Sequence, residues 1–229
     1  VTSDAILLFD FDGTVCLGDA PAYDYARRVA AALDADDGRA FLVAHDAFCK
    51  GRPTTASTFD AFDPYNAVRR LAGEYGVDDE VRQAAYLAAR AGMADGAFEL
   101  SAPEGLRELL WDLPRGVQTV LVTNAPFDGL ESLLAHIKLD GLFDRVIGDA
   151  DKPDGLGAIL DGLLEGREPS SLLSIGDIPR NDLVPAADRG CATAYIDHFG
   201  RPWPRADASG NSMGELYGFV HRWVADRTA

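Results

Sequence analysis

Ala5-Ile6-Leu7-Leu8-Phe9-Asp10-Phe11-Asp12-Gly13-Thr14 is the stretch on which the fold turns. Five apolar residues running into acidic and turn-forming ones predict a short strand buried on both faces, as in a parallel sheet. The same plan recurs at residues 117–122 before Thr123-Asn124, and at 171–175 before Gly176-Asp177. Shorter runs follow it at 145–147, leading to Asp149 and Lys152, and at 192–196. Helical spacing separates these runs, as in Leu130, Leu133, Leu134 and Ile137. Strands alternating with helices define an α/β fold with a doubly wound parallel sheet. Such sheets bind ligands at the carboxyl ends of their strands, where each of these polar signatures falls.

Residues 18–101 break the alternation. Tyr25, Val29 and Leu33, then Val81, Ala84, Leu87 and Ala91, keep helical spacing throughout. This predicts an all-helical domain over 18–101, inserted after the first strand of an α/β core made of 1–17 and 102–229. Asp19 and Asp78 or Asp79 stand where N-caps belong. Ser212 and Glu215 form a capping-box pattern ahead of a closing helix that buries Leu216, Phe219, Val220 and Trp223.

Composition narrows the function. The chain has 229 residues, 47% of them hydrophobic, enough to bury a core without disulfides or a structural metal. With 37 acidic against 21 basic side chains, the net charge of −16 repels nucleic-acid backbones and anionic lipid heads. The stretch 17–101 is acidic in its own right, so no segment restores a basic surface. No run approaches the ~18 apolar residues of a membrane span. Val1-Thr2-Ser3-Asp4 lacks the basic start of a signal peptide. Cys16, Cys49 and Cys191 show no CxxC spacing, so the expected setting is the reducing cytoplasm.

Asp10 and Asp12 carry the strongest chemical signal. In extended chain, residues two apart point the same way, so both carboxylates address one site while Phe11 turns into the core. Two adjacent carboxylates repel unless a cation or a shared proton relieves them. Mg²⁺ answers that need, being a hard ion that takes carboxylate, carbonyl, water and phosphate oxygens. Gly13 supplies the positive φ that swings the chain out of the strand.

Together the four strand ends resemble the haloacid dehalogenase-like superfamily. Leu8-Phe9-Asp10-Phe11-Asp12-Gly13-Thr14 is similar to its first motif, and Leu121-Val122-Thr123-Asn124 to its second. Asp151-Lys152-Pro153 resembles the third motif, and Gly176-Asp177 through Asn181-Asp182 the fourth. The resemblance implies that Asp10 is a nucleophile attacking phosphorus and Asp12 the acid, then the base, of the two half-reactions. It implies Mg²⁺ on the side chains of Asp10 and Asp177 and the backbone carbonyl of Asp12, with Asp182 behind. Thr123 and Asn124, with the Gly13 and Thr14 amides, would hold phosphoryl oxygens, and Lys152 would neutralise developing charge. Taken alone, Thr123 and Asp182 read equally as helix caps, and Lys152 as a surface charge, although the chain has only three lysines. Ile178 departs from the family, whose members commonly carry Ser or Thr there. His45, His136, His198 and His221 show no clustering and read as structural or surface residues.

The dehalogenase and phosphonatase branches lack an Asp two residues after the nucleophile, so Asp12 favours phosphate-ester chemistry. The helical insertion resembles the family's cap, which points to a small phosphorylated metabolite as substrate. Within it, Cys49-Lys50-Gly51-Arg52-Pro53 is the candidate specificity loop, with Lys50 and Arg52 facing a distal anionic group or simply solvent. The expectation is a Mg²⁺-dependent phosphatase working through an aspartyl-phosphate, as a monomer or homodimer. A phosphomutase of the same superfamily and a catalytically idle phospho-ligand-binding relative stay open. Residues 54–64 contain no Lys or Arg to hold a second phosphate, which favours hydrolysis over mutase chemistry.

Overall fold

The computed structural model describes residues 5–228, so the expectation drawn from residues 1–4 lies outside the described residues. Two units make up the chain, one drawing on segments 1–17 and 100–229, the other on Gly18–Glu99. Strand β1 (Ala5–Phe9) opens the first unit. The second unit follows as α1 (Ala20–Ala30), α2 (Ala35–Cys49), α3 (Ala56–Phe59), α4 (Pro64–Glu74) and α5 (Asp79–Ala94). The chain returns to the first unit with α6 (Leu106–Trp111), β2 (Val117–Val122), α7 (Leu130–His136), β3 (Arg145–Ile147) and α8 (Leu156–Leu163). It ends with β4 (Leu172–Gly176), α9 (Val184–Ala187), β5 (Ala192–Ile196), β6 (Ala208–Gly210) and α10 (Met213–Thr228). A π-helical turn over Pro179–Leu183 joins β4 to α9.

The six strands form one all-parallel sheet in the order β3-β2-β1-β4-β5-β6. Every residue of β1 is buried, as the unbroken apolar run predicts for a central strand covered on both faces. On one face Ile6 and Leu8 pack with Val120, Val122, Leu156, Leu160 and Leu172. Strand order reverses between β1 and β4, opening the crevice where α/β sheets bind ligands. Phe9 sits level with Leu121 on one side and Ile175 on the other, so the loops after β1, β2 and β4 leave the sheet at the same height.

The second unit contains only helices among its described elements. Tyr25, Val29, Phe41, Val68, Leu71 and Ala89 fill its core. The side-chain caps here are Asp34, Thr55 and Asp63, not the expected Asp19 and Asp78. Asp19 fails as a side-chain cap because its backbone is already helical (φ −89°, ψ −10°), whereas a capping side chain needs extended backbone. The expected boundary at 101 shifts to Glu99, because Leu17 and Ser101 exchange backbone hydrogen bonds of 2.8 and 3.1 Å within the first unit. In α10 the capping box is displaced by one residue: the Glu215 carboxylate accepts from Asn211 N–H at 2.9 Å.

Candidate active site

Strand β1 delivers Asp10 to the crevice, and the loop after β3 delivers Lys152. Asp149 and Asp151 both take positive φ (49° and 50°), a conformation their short polar side chains tolerate, and so turn that loop back over the sheet. Lys152 Nζ then donates to Asp10 Oδ1 at 2.6 Å, Asp182 Oδ1 at 2.7 Å and the Val122 carbonyl at 2.9 Å. Its three protons are therefore all engaged, and its side chain is 4% exposed. Lys152 is no surface charge.

Asp182 is not a helix cap either. Its Oδ2 accepts from Ile178 N–H at 3.0 Å across the π-helical turn, leaving Oδ1 for the lysine. Ile178 thus contributes through its backbone, and the side chain in which it departs from the family is not needed for this bond. Gly176 lets Asp182 pack tightly, since a Cβ there would lie 2.5 Å from the Asp182 Cβ. Gly13 has the same relation to Asp177: at φ +84°, its absent Cβ would fall 2.5 Å from Asp177 Oδ2.

Asp10, Asp177 and Asp182 each offer a carboxylate oxygen within 4.8 Å of the others. Burial pushes the Asp10 carboxyl up to about 7, aided by the charges of Asp182 and Asp12 and opposed by Lys152. Burial also works against the Lys152 ammonium, but Asp10 and Asp182 outweigh it and hold its pKa above the ordinary lysine value. Three carboxylates facing one ammonium leave negative charge uncompensated. An all-oxygen donor set of this kind suits a hard divalent cation.

The loop after Asp10 closes on itself. Phe11 is fully buried. Its carbonyl accepts from the N–H groups of Thr14, Val15 and Cys16, and Gly13 N–H donates to the Cys16 carbonyl at 2.9 Å. The Gly13 and Thr14 amides both donate within this turn. Asp12 is half-buried at the start of that turn.

Thr123 and Asn124 end β2. Thr123 is 2% exposed, and its hydroxyl oxygen accepts from Ala125 N–H at 3.0 Å. It caps no helix, since α7 begins seven residues later behind Gly129. The Asn124 carboxamide is engaged with the loop after β3. It donates to the Lys152 carbonyl at 2.8 Å and accepts from Lys152 N–H at 2.6 Å. Asn124 therefore grips the backbone that carries the lysine with its side chain. Lys50 and Arg52 lie in the helical unit, where both are exposed and Lys50 pairs with Asp46 at 2.7 Å. Arg180 is exposed.

Sequence reasoning missed His198. It follows β5, and its Nε2 lies 2.7 Å from the Gly13 carbonyl and 3.9 Å from Asp177 Oδ2. Its position two residues past a strand end was the one available signal. Asp149 was also undervalued: its carboxylate accepts from Phe127 N–H at 2.9 Å, tying the loop after β3 to the loop after β2.

A parallel sheet with carboxylates converging on a buried lysine at its switch point defines a class of hydrolase cores, and comparison with known proteins gives that class a name. The family model of the haloacid dehalogenase-like hydrolases matches residues 7–174, and the chain belongs to that family. Over 145 residues it is 32% identical to Phosphoglycolate phosphatase 1 of Pseudomonas aeruginosa, covering 58% of this chain and 53% of that protein. The chain thus aligns with about half the length of that relative. Among solved structures, the HAD-hydrolase YfnB from Bacillus subtilis, bound to magnesium, superposes with a TM-score of 0.63 at 19% identity, covering 94% of this chain and 98% of that one. A predicted phosphoglycolate phosphatase from Haemophilus somnus gives a TM-score of 0.64 at 16% identity, covering 96% and 100%. These structural likenesses establish the fold. No helix among the described residues is long and apolar enough to cross a membrane.

Proposed function

We propose that the chain is a Mg²⁺-dependent phosphatase that hydrolyses a small phosphorylated metabolite through an aspartyl-phosphate on Asp10. One observation carries the reading: a buried lysine bridges Asp10 and Asp182 while Asp177 stands within metal-sharing distance of both. Asp12, two residues after the nucleophile, favours phosphate esters over carbon–halogen bonds, because an alkoxide leaving group needs a proton. The Pseudomonas aeruginosa relative supports the same reading and makes phosphoglycolate the first substrate to try.

Asp10 attacks phosphorus, the ester P–O bond breaks, and Asp12 passes its proton to the departing oxygen. Asp12 then takes a proton from water as the water oxygen attacks the phosphoryl group; the bond to Asp10 breaks and inorganic phosphate leaves. Lys152 steadies Asp10 and sets positive charge where negative charge builds. Asn124 keeps Lys152 in register, and Thr123 keeps its hydroxyl proton to donate to a phosphoryl oxygen. Mg²⁺, held by Asp10, Asp177 and the Asp12 carbonyl with Asp182 behind, would neutralise the phosphoryl oxygens and lower the effective pKa of Asp10.

Release of phosphate from p-nitrophenyl phosphate with Mg²⁺, abolished by EDTA, tests the activity, and a panel of phosphorylated metabolites headed by phosphoglycolate tests the substrate. Isomerised sugar phosphate without free phosphate would establish the mutase instead. Tight binding of phosphorylated ligands without turnover would establish an idle relative.

A further inference from the structure

His198 belongs to none of the family motifs, yet it reaches the turn that carries Asp12. The segment that holds it is firmly built. Asp197 N–H donates to the Gly210 carbonyl at 2.8 Å, fixing the end of β5 against β6. The Asp197 carboxylate accepts from Phe199 N–H at 3.2 Å and Arg201 N–H at 2.8 Å, closing the loop around His198. Tyr195 OH donates to the Arg201 carbonyl at 3.1 Å from the same strand.

From this base the imidazole meets Gly13. A carbonyl oxygen only accepts, so Nε2 carries the hydrogen of the 2.7 Å bond, in the neutral tautomer or the imidazolium alike. At 3.9 Å, Asp177 Oδ2 is too distant to compete for the same hydrogen. Gly13 is thus restrained three ways: its carbonyl by His198, its N–H by Cys16, and its Cα face by Asp177. A glycine at φ +84° has a wide choice of backbone conformations. Without a partner for its carbonyl, the peptide after Gly13 keeps only the 3.2 Å bond from Thr14 N–H to the Phe11 carbonyl, and Asp12 hangs on the residue before it.

We propose that His198 is a positioning residue for Asp12: its Nε2–H holds the Gly13 carbonyl and so fixes the turn that presents the Asp12 carboxyl to the leaving group. The part concerning the leaving group rests on the phosphatase reading; the grip on the turn does not.

The test compares His198→Ala and His198→Gln in the full chain with Mg²⁺. Glutamine places an amide N–H near the position of Nε2, so it restores the bond without the ring. Two measurements are made. The first is hydrogen exchange at the Gly13, Thr14 and Cys16 amides, expected to rise about tenfold in His198→Ala, the order of one lost hydrogen bond, and to recover in His198→Gln. The second is the phosphoryl-transfer rate from an alkyl phosphate and from p-nitrophenyl phosphate in a rapid-quench experiment. Nitrophenolate leaves without a proton, so His198→Ala should slow the alkyl ester about tenfold more than the aryl one, with KM little changed, and His198→Gln should recover most of that difference.

Unchanged exchange, equal losses on the two esters, or a glutamine variant as impaired as the alanine one overturns the proposal. Wild-type protein that releases phosphate from neither ester overturns the phosphatase reading and the leaving-group part with it. In that case the exchange measurement still decides whether His198 holds the turn.

Discussion

The Lys152 ammonium lies 2.6 Å from Asp10 Oδ1, joining residues that are 142 positions apart in the chain. The lysine leaves the loop after β3, crosses the carboxyl end of β2 at the Val122 carbonyl, and reaches both Asp10 on β1 and Asp182 beyond β4. Three strand-end loops therefore share one cation. Burial raises the cost of every charge in the group, so each depends on the others being present.

Replacing Lys152 with Met should remove activity by at least a thousandfold and destabilise the metal-free protein by about 3–5 kcal/mol, the usual cost of stripping one partner from a buried charge group. Urea unfolding and steady-state kinetics measure the two effects. A variant as stable as wild type would mean that water already solvates the carboxylates.

The raised Asp10 pKa sets a pH window. Because that pKa moves from 3.8 up to about 7, the stability that a proton on Asp10 contributes to the metal-free fold is fully present below about 3.8 and is lost as pH rises through about 7. A Mg²⁺ bound as proposed would replace the proton above that range and compete with it below. The Mg²⁺-induced stabilisation, read as a rise in Tm, should therefore be larger at pH 8 than at pH 6, its free energy approaching about 2.7 kcal/mol at a hundredfold excess over Kd. Equal shifts at the two pH values would place the cation elsewhere.

Asp10→Asn is expected to leave less than a few per cent of wild-type turnover while keeping the fold. Mass spectrometry after rapid acid quench of the wild type should find a phosphoryl group on Asp10. Substantial activity in the mutant would assign the nucleophile to another residue.

Asp177→Ala should weaken Mg²⁺ dependence severely, visible as a metal titration shifted by an order of magnitude or more. The titration is best read by thermal shift as well as by rate, since binding then shows independently of chemistry. A titration matching that of wild type would remove Asp177 from the metal site.

Asn124→Ala should lower kcat about 10- to 100-fold with a smaller effect on KM, because two hydrogen bonds of about 1 kcal/mol each hold Lys152 in place. Asn124→Asp keeps the acceptor for Lys152 N–H but loses the donor to its carbonyl, and should fall between the two. If KM rises instead while kcat holds, the carboxamide touches substrate after all.

The sequence by itself determined five of the six strands, their parallel arrangement and the placing of Asp10 and Asp177 at strand ends, while Lys152 and Asp182 were picked out only by the family resemblance and β6 was not foreseen. Those features follow from short-range causes: apolar runs too continuous for any but buried strands, broken by residues that turn the chain, with the polar ones left at the strand ends. The helical character of 18–99 was legible for the same reason, in its 3.6-residue spacing. What only the tertiary structure decided is where each polar group finds its hydrogen-bond partner. The Gly13 and Thr14 amides close their own turn, the Asn124 carboxamide clasps a backbone 28 residues away, and His198 grips a carbonyl 185 residues away. Periodicity records which face of an element is buried. It carries no record of which donor from another strand end will arrive within 3 Å, because that depends on how the loops converge once the sheet has formed.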